Sequence, residues 1–258
     1  MDLSLDSTIS EQYKSKTQKA RVITEHWIER NMFCPKCGQP YLKHFPANRP
    51  VADFYCDNCR AEYELKSREK ENPTPQKIIN DGCYDTMIKR IMSLNNPNLF
   101  IMTHFNHQVS NLILIPNFFF VPEIIIKRPP LKPNARRAGW VGCNINIGII
   151  PSEAKIPIIT NGQATPVKKV VASYNRILAL QTGNIQQRGW LMDVMACLNQ
   201  IPTEEFSLKD VYAFEDTLKI KHSQNHHIKD KLRQILQMLR DKEFIEFTSP
   251  GNYRKIKL

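Results

Sequence analysis

The apolar residues in the first 180 positions follow helical and strand-like spacings in turn. Residues 10–30 place apolar side chains at helical spacing amid Lys, Arg and Glu, which predicts an amphipathic first helix. The next segment, 33–66, is too rich in proline for a long helix, with Pro35, Pro40, Pro46 and Pro50. The elements predicted after a polar loop at Glu69–Pro75 are a helix over Ile78–Met92, strands at Leu99–Phe105, Leu112–Ile115, Asn144–Ile150 and Ile156–Thr160, and a helix over Val167–Leu180. This order predicts a mixed α/β domain.

The pattern changes after a polar segment, Gln181–Gly189, that reads as a linker. Closely spaced helices are predicted over Trp190–Leu198, Leu208–Ile220 and Ile228–Arg240, with Ser207 and Asn225 as N-caps of the second and third. Two short strands around Ser249–Asn252 predict a terminal hairpin. Three helices and a hairpin are typical of a winged helix, a variant of helix-turn-helix. We therefore predict two domains, 1–182 and 183–258.

Charge and cysteine usage limit the class of protein. The 258 residues carry a formal net charge of +11, which fits a polyanionic partner such as nucleic acid. No apolar run approaches the ~20 residues that span a bilayer, and the N-terminus lacks the features of a secretion signal. The cysteine count is odd, at seven, and three are scattered singly at Cys83, Cys143 and Cys197. These features predict a cytoplasmic protein with reduced thiols and no membrane partner.

Two C-x-x-C pairs form a candidate metal site. They are separated by eighteen residues, a spacing typical of four-cysteine zinc ribbons: Cys34, Cys37, Cys56 and Cys59. Four thiolates close the coordination sphere of a tetrahedral zinc ion and leave no position for water, so this zinc would be structural. The alternative is four unrelated buried thiols.

Acidic residues and a lysine alternate around the second cysteine pair. If Asp57-Asn58 is the turn of a hairpin, Asp53 faces Glu62 across it, and Glu64 lies diagonal to Asp53. Side chains alternate between the faces of a strand, so one face, opposite the cysteines, would carry four charged residues: Asp53, Glu62, Glu64 and Lys66.

This arrangement suits metal-dependent hydrolysis of a phosphodiester. Asp53 and Glu64 are predicted to bind Mg²⁺, with the Leu65 backbone carbonyl as a further ligand. The ion would activate water and neutralise charge on the phosphate. Lys66 would position the nucleophile or stabilise the developing charge. The alternative is a solvated hairpin face whose acids and lysine pair with one another, and Glu62 competes with Glu64 for the assignment.

Two further segments are candidates for contact with nucleic acid. Between Lys127 and Arg137 lie five cations and three prolines without an acid, a stiff basic loop suited to phosphates or guanine edges, with Arg136 and Arg137 as the predicted contacts. Residues at the start of a third helix contact base edges in helix-turn-helix proteins. The predicted base contacts there are Gln224, Asn225, His226 and His227, and the predicted phosphate contacts are Lys229, Lys231 and Arg233. A solvated loop and a solvated helix face are the alternatives.

Several of these segments together resemble DpnI-type restriction endonucleases. The matching stretches keep register from the first helix to the C-terminus: Asn48–Cys56 through Glu64–Ser67, Asn80–Gly82, Ala135–Asn144, Asn225–Lys229 and Leu239–Glu243. Such enzymes cut duplex DNA at GATC when the adenine carries an N6-methyl group, using a PD-(D/E)xK nuclease domain with zinc and a C-terminal winged helix. The chain departs from the general nuclease motif because Pro50 lies three residues before Asp53 instead of adjoining it.

The resemblance implies specific roles. Asp53 and Glu64 would hold Mg²⁺, Lys66 would be the catalytic lysine of a type II, methyl-dependent enzyme, and the four cysteines would hold zinc. It also implies a monomer acting on methylated double-stranded DNA, and it favours contact between Trp140 and the adenine methyl group over an ordinary core position. A zinc-ribbon, winged-helix regulator that binds DNA without cutting it is the alternative function.

Overall fold

The computed structural model describes residues 1–46, 52–71 and 76–256. Its first part has an α/β architecture, with these helices and strands in chain order: α1 Lys16–Asn31, β1 Lys43–His44, β2 Phe54–Tyr55, β3 Glu62–Glu69, β4 Ile78–Cys83, α2 Tyr84–Met92, β5 Asn98–Phe105, β6 Gln108–Ile115, β7 Ile125–Lys127, β8 Gly142–Asn146, β9 Ile156–Thr160, β10 Gln163–Ala164 and α3 Val167–Leu178. No helix in the described ranges is both long and apolar enough to cross a membrane.

The main sheet lies at the centre of this part. Within the described residues it has seven strands, in the order β1-β2-β3-β5-β6-β9-β10, and β3 and β5 run parallel. β5 is buried along almost its whole length, around the apolar run Leu99–Met102, as expected of a central strand. α1 packs beside β3 and buries Trp27 and Ile28, while α3 packs on β9.

A smaller sheet carries the basic segment. In the described part of the chain it has three strands, in the order β4-β8-β7, all antiparallel. Residues 128–141 connect β7 to β8, and we call this segment the β7–β8 loop. Hydrogen bonds from Arg128 N to Gly142 O (3.0 Å) and from Leu131 N to Trp140 O (2.9 Å) extend the pairing of β7 and β8 into the loop.

The C-terminal part is helical with a terminal hairpin. Its elements are α4 Ile185–Gln200, β11 Glu205–Ser207, α5 Leu208–Tyr212, α6 Glu215–Lys221, α7 Ile228–Asp241, β12 Ile245–Ser249 and β13 Asn252–Lys255. Its strands, among those described, pair in the order β11-β13-β12. Ser207 caps α5 as predicted, in a capping box with Asp210. The expected fold class, an α/β core followed by a helix-turn-helix domain with a hairpin wing, is confirmed.

Some predicted boundaries were wrong, for local reasons. Residues 78–83 form β4 instead of the first turns of a helix, because they pair with β8, and α2 begins at Tyr84. The strand predicted to end at Ile150 ends at Asn146, whose side chain accepts a hydrogen bond from Gly148 N and caps a 3-10 turn. The first helix begins at Lys16 and not near residue 10.

Three predictions in the C-terminal part also need correction. The predicted linker 181–189 contains the start of α4, which Asn184 caps. The helix predicted over Leu208–Ile220 is two helices, α5 and α6. Asn225 is not the N-cap of α7; that position is His227, whose backbone N–H donates to Asn225 Oδ1 at 2.7 Å.

Candidate functional site

The two C-x-x-C pairs form turns of the same construction. In each turn, the first cysteine N–H donates to the residue five positions on, Gln39 for Cys34 and Ala61 for Cys56. The residue after each second cysteine has a left-handed backbone, with φ of 78° at Gly38 and 59° at Arg60. The two turns therefore present their sulfurs in the same way.

The four sulfurs are spaced for a tetrahedral ion. All lie within 4.8 Å of one another, in the single such group of three or more metal-ligating side chains among the described residues. Cys34 Sγ lies 3.5 Å from Cys59 Sγ, and Cys37 Sγ lies 3.6 Å from Cys56 Sγ. Zinc–sulfur bonds of about 2.3 Å in a tetrahedron require sulfur separations of about 3.8 Å. The cluster can therefore hold zinc.

The hairpin after this cluster has a different register from the predicted one. Phe54 pairs with Tyr63 and Tyr55 pairs with Glu62, because the turn of the second cysteine pair extends from Cys56 to Ala61. Continuing this register places Asp53 opposite Glu64, not opposite Glu62. The shift is two residues, so the acids stay on the predicted face, and Asp53 and Glu64 become direct instead of diagonal neighbours.

Asp53 is fixed against the backbone of β3. Its N–H donates to Tyr63 O at 2.9 Å, and its Oδ2 accepts from Leu65 N at 2.7 Å. Because the N–H and C=O of one strand residue point to the same edge, the Leu65 carbonyl faces the edge on which Asp53 lies. This is the arrangement in which the predicted ligands Asp53 and Leu65 can reach one ion.

Lys66 lies between two carboxylates. Its Nζ is 2.7 Å from Glu64 Oε1 and 2.6 Å from Asp81 Oδ1, and both carboxylate side chains are largely buried. Asp81 comes from β4 of the smaller sheet, so the ion pair joins the two sheets. Sequence reasoning assigned no role to Asp81, and its only signal was its place in the Asn80-Asp-Gly82 stretch.

Burial and neighbouring charges shift the pKa values of Glu64 and Lys66. Burial raises the pKa of Glu64 to about 7; the charges of Asp81 and Asp53 add to this shift, and Lys66 opposes it. Burial tends to lower the pKa of Lys66, but Glu64 and Asp81 outweigh it, so that the net shift is upward and the ammonium stays charged.

Glu62, the acid that competes with Glu64 for the role of metal ligand, pairs with a different cation. Glu62 accepts from Arg90 Nη2 at 3.0 Å, whereas Glu64 pairs with Lys66. The structure therefore separates Glu62 from Glu64, two residues that spacing alone leaves as rivals.

The β7–β8 loop exposes most of its cations and places two arginines near the ring of Trp140. Arg136 and Arg137 are exposed, and the Arg137 and Arg128 guanidinium groups lie 4.5 and 5.6 Å from the Trp140 ring centroid. Trp140 is only half-buried, so it is not an ordinary core residue.

The turn before α7 also presents the predicted contacts at the surface. Gln224, His226 and His227 are exposed and Asn225 is half-buried. The cations on α7 have acidic or polar neighbours: Lys229 pairs with Glu215, Lys231 donates to Gln234, and Arg233 donates to Tyr212 Oη at 2.6 Å.

One half-buried pair next to this turn was not found from the sequence. His222 Nε2 lies 2.9 Å from Asp193 Oδ2 on α4, and the His222 ring stacks on Trp190 at 3.8 Å. His222 O accepts from Asn225 N at 2.8 Å, so this pair supports the turn directly. Trp190 and Asp193 on α4 meet His222, which follows α6, only in the folded domain, so no local sequence signal predicts this contact.

Two family models match the chain, one in each part of the molecule. Residues 1–183 match the model of the DpnI, or Dam-replacing, family. Residues 186–255 match the model of the Dam-replacing helix-turn-helix domain. The two matches cover nearly the whole chain and agree with the two parts of the fold. The chain therefore belongs to the DpnI, Dam-replacing family and carries that family's helix-turn-helix domain at its C-terminus.

Proposed function

We propose that the protein is a type II, methyl-dependent restriction endonuclease that cleaves double-stranded DNA at GATC sites carrying N6-methyladenine. Membership of the DpnI family implies a nuclease and suggests dependence on methylation. The helix-turn-helix domain suggests DNA binding. In this proposal residues 1–182 form the PD-(D/E)xK endonuclease domain, residues 183–258 bind DNA as a winged helix, and the protein acts as a monomer in the cytoplasm.

The observation that carries the proposal is the grouping of two acids and a lysine beside one strand. The Asp53 carboxylate accepts a hydrogen bond from Leu65 N of β3. Glu64 and Lys66 project from the same strand, with Glu64 Oε1 2.7 Å from Lys66 Nζ. A protein that only binds DNA gains nothing from this cluster, because carboxylates without a cation repel phosphate. The grouping is therefore better explained by hydrolysis than by binding alone.

Each residue of the cluster has a role in the proposed reaction. Asp53, Glu64 and the Leu65 carbonyl would hold Mg²⁺, since oxygen ligands suit this hard cation. When bound, the ion activates water and offsets charge on the scissile phosphate. Lys66 orients the attacking water or stabilises the charge that develops on the phosphate, because its ammonium is fixed and largely screened from solvent.

The four cysteines would hold a structural zinc ion that fixes the hairpin. Their turn sets the register in which Asp53 lies opposite Glu64, and a one-residue slip would move every side chain to the other face. Zinc thus acts on the reaction only through the geometry of Asp53 and Glu64.

Recognition would involve both domains. Arg136, Arg137 and Trp140 of the β7–β8 loop would contact the site, with Trp140 covering the adenine methyl group for on the order of 1 kcal/mol. The turn before α7 would contact bases through Gln224, Asn225, His226 and His227, and Lys229, Lys231 and Arg233 would contact phosphates. One methyl contact gives only about a fivefold preference, so discrimination requires both domains.

A plasmid digest tests the proposal. Plasmid carrying N6-methyladenine at GATC should be cut in the presence of Mg²⁺ and stay intact when Mg²⁺ is chelated, while the same plasmid without methylation should stay intact in both. Equal cutting of both plasmids would indicate a nuclease of different specificity. A methylated plasmid that stays intact with Mg²⁺, yet shifts on a gel, would indicate a regulator.

A further inference from the structure

Asp81, on the smaller sheet, pairs with Lys66, on the main sheet. Its Oδ1 lies 2.6 Å from Lys66 Nζ, and its side chain is only 5% exposed. A β-bulge between Asp81 and Cys83 interrupts the pairing of β4 with β8 at this point. Bulges redirect side chains, so the orientation of Asp81 toward Lys66 is a property of the smaller sheet.

The charges give Asp81 a role that Glu64 cannot fill. In the proposed function, Glu64 binds a divalent cation, and its charge then no longer serves Lys66. A buried ammonium needs a carboxylate beside it, because leaving a buried charge unpaired is strongly destabilising. Asp81 is the other carboxylate in contact with Lys66 among the described residues, and it is the one that stays available as its partner.

Arg128 connects Asp81 to the β7–β8 loop. Its Nη2 donates to Asp81 O at 3.2 Å, and the same guanidinium lies over Trp140. It reaches Asp81 by crossing Gly142, where an added Cβ would come within 2.0 Å of Nη2. The absence of a side chain at Gly142 is therefore what lets Arg128 adopt this position.

These contacts form one continuous path, and we propose that Asp81 is a positioning residue for Lys66, held by Arg128 so that the β7–β8 loop and the lysine are set together. The inference rests on the proposed nuclease function. It assigns Asp81 a task distinct from metal binding: to fix the ammonium while Glu64 binds the ion. It also makes Arg128 the link between the β7–β8 loop, which contains Trp140, and the Asp81–Lys66 pair.

Single-turnover cleavage of a methylated duplex by wild type and Asp81→Asn separates these roles. The variant should lose at least about tenfold in the cleavage rate constant, because a misplaced catalytic group is costly. Its duplex Kd should stay within about threefold of wild type, and the loss of rate should persist at saturating Mg²⁺, because Lys66 is misplaced whether or not the ion is bound. Asp81→Glu keeps the carboxylate and should recover part of the rate, which a purely structural defect would not allow.

Two results would overturn the proposal. Asp81→Asn cleaving at the wild-type rate would remove any role for Asp81, and a variant whose rate returns to the wild-type value when Mg²⁺ is raised would show that Asp81 acts only through metal binding. Should Asp81→Asn fail to fold, Gly142→Ala provides a second test. It keeps both the Asp81 and the Lys66 side chains but displaces Arg128, which holds Asp81. A wild-type cleavage rate in Gly142→Ala would refute the proposal that Arg128 positions Lys66 through Asp81. Failure of the nuclease function itself would appear separately, as wild-type protein that does not cut the duplex.

Discussion

The two ends of one β-hairpin carry two different kinds of candidate metal site. At the turn, the four cysteine sulfurs already lie at tetrahedral spacing, with separations of 3.5 and 3.6 Å across the two pairs. Along β3, Asp53 Oδ2 accepts from backbone and Glu64 Oε1 pairs with Lys66, so an ion at this site shares these acids with protein partners. The first site is closed and suits a permanent structural ion. The second is exchangeable, as a site that must admit water and phosphate has to be.

Removing the ion from the closed site should have the largest effect. Cys34→Ser should lose the single zinc per chain and most of the stability of the nuclease domain, since zinc in such sites contributes on the order of 10 kcal/mol to folding. Metal analysis and thermal unfolding measure both. Cys83→Ser, which changes a thiol outside the cluster, is the matched control and should keep zinc and Tm. A Cys34→Ser protein with wild-type Tm would contradict a structural zinc.

Changing the exchangeable site should abolish cleavage and leave the fold intact. Asp53→Asn keeps an acceptor for Leu65 N but removes a charged ligand, so we expect a loss of about 10³-fold or more in cleavage rate with unchanged zinc content and Tm. Glu62→Gln, on the same face of the hairpin but paired with Arg90, should cut at close to the wild-type rate. The reverse pattern, with Glu62 essential and Asp53 dispensable, would refute the assignment.

The smallest expected effect is on pH dependence. Burial raises the pKa of Glu64 to about 7, so below that pH a proton competes with the ion for the carboxylate. The Mg²⁺ concentration for half-maximal cleavage should rise by up to about tenfold for each unit of pH below 7 and change little above it. A Mg²⁺ requirement that stays flat from pH 8 to pH 5.5, with DNA binding measured separately, would argue against Glu64 as a ligand.

The same comparison explains what could be predicted from the sequence. Cysteine pairs are local: each C-x-x-C turn sets the direction of its own sulfurs, so spacing alone identified Cys34, Cys37, Cys56 and Cys59. The face of the hairpin was also predictable, because alternation survives a two-residue error in register. The register itself was not, because it depends on how far the turn after Cys56 extends.

Contacts between distant elements were beyond such reasoning. Asp81 was read as part of a helix, and only its pairing with β8 makes it a strand residue that meets Lys66. His222 and Asp193 likewise meet through packing of α4 against the segment after α6. In both cases the sequence separation leaves no periodic signal, so tertiary structure decides.

The most direct test of the two-site account is a crystal structure of the protein with a methylated duplex and Mn²⁺ in place of Mg²⁺, with anomalous scattering used to identify each ion. The account predicts zinc among the four cysteines and Mn²⁺ within about 2.5 Å of one oxygen each from Asp53 and Glu64. Mn²⁺ that contacts neither acid, or that touches only one while the other stays bonded to Lys66, would contradict it.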